Sequence, residues 1–117
     1  MTYRWKIILF AHQSGKSPVV DFIYRAETRL QTKIRNSFQL LMEFGTRLGP
    51  PHTKKLKGNG LWELRILGAE SCRILYSQIE AKTFIILNIF QKKQLKTPRN
   101  EVETAQKRLL LYLKMNS

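Results

Sequence analysis

Residues 61–90 read LWELRILGAESCRILYSQIEAKTFIILNIF, and the fold is decided there. Leu61 to Leu67 alternates, with Trp62, Leu64 and Ile66 on one face and Glu63 and Arg65 on the other, the two-residue period of a half-buried strand. Gly68-Ala69-Glu70-Ser71 is a short connection suited to a hairpin. Cys72 to Ile79 reads as a second strand, carrying Arg73 and Tyr76. Thr83 to Phe90 reads as a third; it is the most apolar of the set and is expected to be central.

Working outward, the third strand runs into Gln91-Lys92-Lys93. Thr97-Pro98 then opens a helix, because a hydroxyl can cap free amides and proline is tolerated where no N–H partner is needed. This helix extends to about Lys114, with Val102, Ala105, Leu109, Tyr112 and Leu113 facing inward. Upstream of residue 61 lies a basic, turn-rich loop holding His52, Lys54, Lys55, Lys57, Gly58, Asn59 and Gly60. Before it, Leu30, Ile34, Phe38, Leu41 and Phe44 mark one face of a helix from Thr28 to about Arg47, ended by Gly45 and Gly49-Pro50-Pro51. A shorter helix, Pro18 to Ala26, starts at Ser17-Pro18, a second hydroxyl-plus-proline cap, and pairs with it as a helical hairpin. Tyr3 to Phe10 reads as the first strand. The order β-α-α-β-β-β-α predicts an α+β fold: a compact antiparallel sheet with an N-terminal helical hairpin and a C-terminal helix, the helices on one side.

A chain of 117 residues and 13.8 kDa is read as one domain spanning residues 1–117. Its 43% hydrophobic and 25% charged residues exclude a disordered chain. The longest apolar run near the N-terminus, Ile7 to Ala11, is too short for a membrane span or a signal segment, so a cytoplasmic location and no membrane partner are expected. One cysteine, Cys72, and two histidines, His12 and His52, argue against a disulfide or a metal site. The common nucleotide-cradling glycine motifs are absent, and no cofactor is expected.

Charge is the unusual feature. Twenty-one Lys+Arg against eight Asp+Glu give +13, with a pI near 10.3, which points to a polyanionic or acidic partner. Residues 47–73 carry Arg47, Lys54, Lys55, Lys57, Arg65 and Arg73 against Glu63 and Glu70, and residues 91–99 carry Lys92, Lys93, Lys96 and Arg99 with no acid. Strand alternation puts Arg65 on the face opposite Trp62. If helices cover the apolar face, the charged face is a shallow basic groove containing Arg65 and Arg73, with the lysine loop and Lys92-Lys93 at its ends. Arginine meets phosphate oxygens bidentately and lysine adds point charge. Tyr76 or Phe90 is available in principle to stack on a base. This is the outline of an RNA-binding surface.

The motifs Leu56-Lys57-Gly58, Gly60-Leu61-Trp62-Glu63-Leu64-Arg65, Cys72-Arg73-Ile74-Leu75-Tyr76, Ile85 to Lys93, and Lys96-Thr97-Pro98 with the helix containing Glu101 and Ala105 occur in an order that resembles the RelE/ParE-superfamily toxins of type II toxin–antitoxin modules, in particular their phage-derived, HigB-like branch. The resemblance covers about residues 3 to 113. It implies a ribosome-dependent mRNA endoribonuclease that cleaves message in the A site of the 70S ribosome and inhibits translation. It also implies a cognate antitoxin of helix-turn-helix type as partner. By matched position, Arg65 and Arg73 hold the scissile phosphate, and Lys92 and Lys93 occupy the C-terminal end of the active site. Lys54, Lys55 and Lys57 orient RNA, one of them being a candidate for proton transfer, with Lys96 adding charge and Phe90 as a stacking residue. Relatives that carry Tyr, Asp or His at the end of the last strand differ from this chain, whose Phe90 cannot transfer a proton.

Metal-free RNA cleavage needs a base for the 2′-hydroxyl, cations around the phosphorane and an acid for the 5′-oxygen. Arginine cannot be that base, whereas a lysine among other cations can have a lowered pKa. The remaining residues take plainer readings. His52 is an exposed loop histidine, Tyr76 packs, Cys72 is a small buried hydrophobe, Trp62 is core, and Glu63 is an internal partner for Arg65. Two other functions fit the same superfamily or charge: a ParE-like gyrase poison without RNase chemistry, and a non-catalytic RNA-binding domain.

Overall fold

The alternation in residues 61–90 becomes three antiparallel strands in the computed structural model of the chain, which describes residues 3–66, 68, 72–92 and 96–117. They are β3 (Trp62–Arg65), β4 (Cys72–Glu80) and β5 (Thr83–Gln91). The predicted Gly68–Ser71 hairpin connection, apart from Gly68, and the predicted strand end at Leu67 lie outside the described residues, as does Lys93. Before these strands come β1 (Lys6–Leu9), α1 (Pro18–Arg25), α2 (Thr28–Phe44), a 3₁₀ turn (Gly45–Arg47) and β2 (Thr53–Lys55); α3 (Arg99–Met115) follows. The fold is α+β, as the sequence predicts.

The sheet order is β1-β5-β4-β3-β2. It is mixed rather than wholly antiparallel, because β1 pairs with β5 in parallel from Lys6↔Thr83 to Leu9↔Ile86. The connection out of β1 passes through two helices, long enough to leave its orientation free, whereas the short turns of the 61–90 stretch force antiparallel pairing. β5 is interior, as its composition demands, but the middle strand is β4. β5 is buried at all positions from Thr83 to Phe90. β2 is an addition to the predicted order. Its Thr-Lys-Lys sequence has no apolar alternation to announce it, and it exists because β3 offers a ladder: Thr53↔Leu64, Lys54↔Glu63, Lys55↔Trp62.

Helices lie on both faces, not one. Cross-strand register aligns Glu63, Leu75 and Asn88 in one row. Asn88 Nδ2 donates to the Glu101 carbonyl (3.1 Å) and carboxylate (3.3 Å), and Arg108 Nη1 donates to Leu87 O (2.9 Å), so α3 covers that row. On the other face Trp5 stacks on Phe84 (4.6 Å between centroids), Tyr76 meets Phe84 edge-on (5.3 Å), and the end of α2 closes over them.

Local signals explain most helix ends. Ser17 Oγ accepts from Val20 N (3.1 Å) and donates to Phe10 O (2.6 Å), capping α1 and closing the loop from β1 in one group. The predicted Thr97 cap is different: Pro98 takes the cap position, and the Thr97 hydroxyl is used on Glu63 instead. Along α3 only Ala105 is fully buried; Val102, Leu109 and Tyr112 pack partly against the core, and Leu113 points outward. α2 stops at Phe44 because Gly45 adopts φ +57°, and a Cβ there would sit 2.0 Å from the Trp5 ring.

Gly45→Ala therefore adds overpacking of about 1–3 kcal/mol to a backbone cost of order 1 kcal/mol. Gly58 also has positive φ (+78°), with nothing within 4 Å of a Cβ. Gly58→Ala is expected to cost only the backbone share. Urea unfolding of the two variants checks this, and equal losses would remove Trp5 packing as the constraint at Gly45.

Candidate functional site

β3 carries Glu63 and Arg65 toward α3, and the β3–β4 register sets Arg65 directly opposite Arg73. Two arginines facing each other across a ladder repel. The Glu63 carboxylate resolves the conflict. It is fully buried, and Arg73 Nε lies 3.1 Å from its Oε1, Arg65 Nε 3.6 Å and Lys92 Nζ 3.9 Å. The Thr97 hydroxyl donates to the other oxygen, Oε2. Neither arginine Nε is aligned for a hydrogen bond to Oε1, so these contacts act as ion pairs. Residues from two central strands, the end of β5 and the lead into α3 thus converge on one carboxylate.

The charge does not balance. Three cations meet one anion, so the cluster stays electropositive and suited to a second anion. The side chains grade outward, from Lys92 (7% exposed) through Arg73 (19%) to Arg65 (33%). Among the described residues Arg73 makes one side-chain hydrogen bond, from Nη1 to Cys72 O (3.0 Å), and Arg65 makes none. Their guanidinium edges therefore retain donors. The Lys92 ammonium is pushed below the usual lysine range, chiefly by burial. Glu63 opposes that push, while Arg73, Arg65 and Lys54 add to it.

The other sequence-derived positions divide. Lys54 is exposed and opposite Glu63 in the β2–β3 register, at the rim of the cluster. Lys55, the next residue, belongs to the other face, with its ammonium 6.0 Å from the Trp62 ring centroid. Lys57 is exposed in the turn after β2, and Lys96 is exposed immediately before Thr97. Phe90 pairs with Arg73 across the ladder but is 5% exposed and part of the core, so its ring offers no open face to a base. Lys93 lies outside the described residues. Tyr76 packs as expected, its hydroxyl pushed above the usual tyrosine value by burial. Cys72 is buried, and Trp62 is half-buried against the core.

Two positions were under-read in the sequence. Glu63 binds three cations rather than Arg65 alone. His52 is not an isolated loop residue: its carbonyl accepts from Arg65 N (2.7 Å), extending the β2–β3 ladder so that His52 lies across from Arg65. The only sequence signal for either is the two-residue offset from Lys54 and Arg65, which acquires meaning once β2 is known.

The model of the phage-derived Gp49-like protein family (DUF891) matches residues 21–110. The chain belongs to this family. Gp49-like proteins are a RelE/HigB-like toxin family of toxin–antitoxin systems, in agreement with the motif resemblance. Comparison with curated proteins gives no match. The matched span contains every member of the cluster, from Glu63 to Thr97.

Breaking a buried ion pair by removing one partner costs about 3–5 kcal/mol. Glu63→Ala leaves three cations facing one another and is expected to lose stability in that range by urea denaturation. A loss under about 1 kcal/mol would mean that the cations are solvated independently of the carboxylate.

Proposed function

We propose that this Gp49-like toxin is an endoribonuclease that cleaves mRNA at the ribosome without a metal, by attack of a ribose 2′-hydroxyl on the adjacent phosphorus. The observation that supports this reading is the convergence of Arg65, Arg73 and Lys92, three cations on one buried carboxylate with net positive charge left over. A gyrase poison needs no such phosphate seat.

In this reading Arg73 and Arg65 bind the non-bridging oxygens of the scissile phosphate and hold the charge that grows on the phosphorane. Lys92 is the proton-transfer group. It alone in the cluster is a nearly buried amine whose proton affinity that burial lowers, and arginine does not give up a proton in this range. The neutral amine takes the proton from the 2′-hydroxyl, the 2′-oxygen bonds to phosphorus, and the bond to the 5′-oxygen breaks as that oxygen takes a proton from water, leaving a 2′,3′-cyclic phosphate and a 5′-hydroxyl. Glu63 does not touch RNA; it keeps Arg73 and Lys92 within reach of one phosphate. Lys54 and Lys96 extend the cationic track along which a strand approaches. Membership of a toxin family implies an antitoxin partner, and a helix-turn-helix protein encoded beside this chain is the form we expect. The setting of this chemistry is the cytoplasm.

Arg73→Ala is expected to lower cleavage by on the order of 100-fold or more, as for loss of one transition-state donor. Primer extension on ribosome-bound message during controlled expression reads this out. Full cleavage by the variant removes Arg73 from the site, and DNA breaks with intact messages in the parent would replace the RNase reading with gyrase poisoning.

The rate should also rise with pH along a limb whose midpoint lies below the usual lysine value, because only the neutral Lys92 amine accepts a proton. Lys92→Arg, which keeps the charge, should abolish that limb and most of the rate. A limb that falls with pH and depends on Lys92 would instead make it the acid at the 5′-oxygen.

A further inference from the structure

Gln91 and Lys92 end β5 side by side, and neighbouring strand residues project to opposite faces. Lys92 enters the cationic cluster. Gln91 lines a cleft of about 610 Å³ on the other side, formed with Lys16, Pro18, Asp21, Phe22, Arg25, Ala26, Glu27 and Leu30. That volume falls within the roughly 300–1,000 Å³ of small-ligand pockets.

We infer that this cleft seats a nucleobase next to the scissile phosphate, and that Asp21 and Glu27 make it selective for guanine. The inference rests on the RNase reading of the Arg65–Arg73–Lys92 cluster and adds a specificity site that the cluster itself lacks. Phe22, with Pro18 and Leu30, supplies an apolar wall against which a base can lie. Ionised carboxylates only accept hydrogen bonds. The Watson–Crick edge of guanine presents adjacent N1–H and N2–H donors that one carboxylate can take together. Uracil presents a single N–H between two carbonyls, which a carboxylate repels. Lys16 and Arg25 on the rim supply donors for flanking phosphates.

Two observations favour a ligand here over a solvated surface. Asp21 is half-buried, and among the described residues the side chains of Lys16, Asp21, Arg25 and Glu27 form no ion pair with one another or with other groups. Lys16, Arg25 and Glu27 are exposed, but the Asp21 carboxylate is partly withdrawn from water without a protein donor among the described residues, although opposite charges line the same cleft. Gln91 of the cleft and Lys92 of the cluster are also consecutive residues, so a single RNA strand reaching both sites can set a base on the Gln91 side and a phosphate on the Lys92 side.

The test compares the parent protein with Asp21→Asn/Glu27→Gln. Short single-stranded RNAs that differ only in G or U at one position, with every ribose 2′-O-methylated to prevent cutting, are titrated by fluorescence anisotropy. Cut sites are mapped in parallel on ribosome-bound message, and circular dichroism checks folding. The parent is expected to favour G over U by about tenfold or more, and the double variant by less than about threefold, in line with losing one or two hydrogen bonds to a charged group. An equal G-over-U ratio in parent and variant, or no preference in the parent, overturns the guanine cleft. A G preference in binding that the variant loses, in a parent that cuts no message, upholds the cleft and strikes the RNase reading alone.

Discussion

A single carboxylate buried between strands holds this molecule's chemistry in place. Glu63 is the point on which Arg65, Arg73 and Lys92 meet, and without it the β3–β4 register would set two arginines against each other with a third cation nearby. Taking a carboxylate out of water is costly, and the cost is offset only by close cations and a hydrogen bond of the kind Thr97 donates. The arrangement is compensated but not neutral, and the remaining positive charge gives the site its character. One interaction therefore does two things: it offsets the repulsion across the β3–β4 register and leaves guanidinium donors without a protein partner among the described residues.

The architecture protects that interaction. α3 packs over the row of Glu63, Leu75 and Asn88 and is anchored by Asn88 and Arg108, while α2 and the Trp5–Phe84–Tyr76 stack close the opposite face. Covering both faces lowers the local dielectric around Glu63 and Lys92, which strengthens each contact and depresses the proton affinity of the lysine. The graded exposure from Lys92 to Arg65 follows from their positions: Lys92 ends the interior strand β5, and Arg65 ends β3, one strand from the edge. The same strand end divides the cluster from the cleft lined by Gln91, so sequence-neighbouring side chains serve two different surfaces.

Much of this was legible in the chain. The alternation around Trp62 and Leu64, the apolar run of β5, the Ser17-Pro18 start and the helical faces of α1 and α2 are local signals, and each survives in the structure because period and burial agree, except at Phe44, which is exposed at the end of α2. The convergence of Arg65, Arg73 and Lys92 was expected from strand faces and from the family resemblance. The misses share one cause. β2, the parallel placement of β1, the second helical layer and the use of Thr97 on Glu63 rather than on its own helix all depend on what lies across space.

The sequence by itself determined the element types, the α+β class, the basic character and the family, because these follow from periodicity, composition and motif order within the chain. Only the tertiary structure decided which cations act together. Lys54 and Lys55 are adjacent and chemically alike, yet a strand's alternation turns one toward Glu63 and the other onto Trp62. Phe90 had the right chemistry to stack on a base, but its position inside the sheet buries it. Register and layer coverage are non-local, and they convert a scattered set of positive charges into one site.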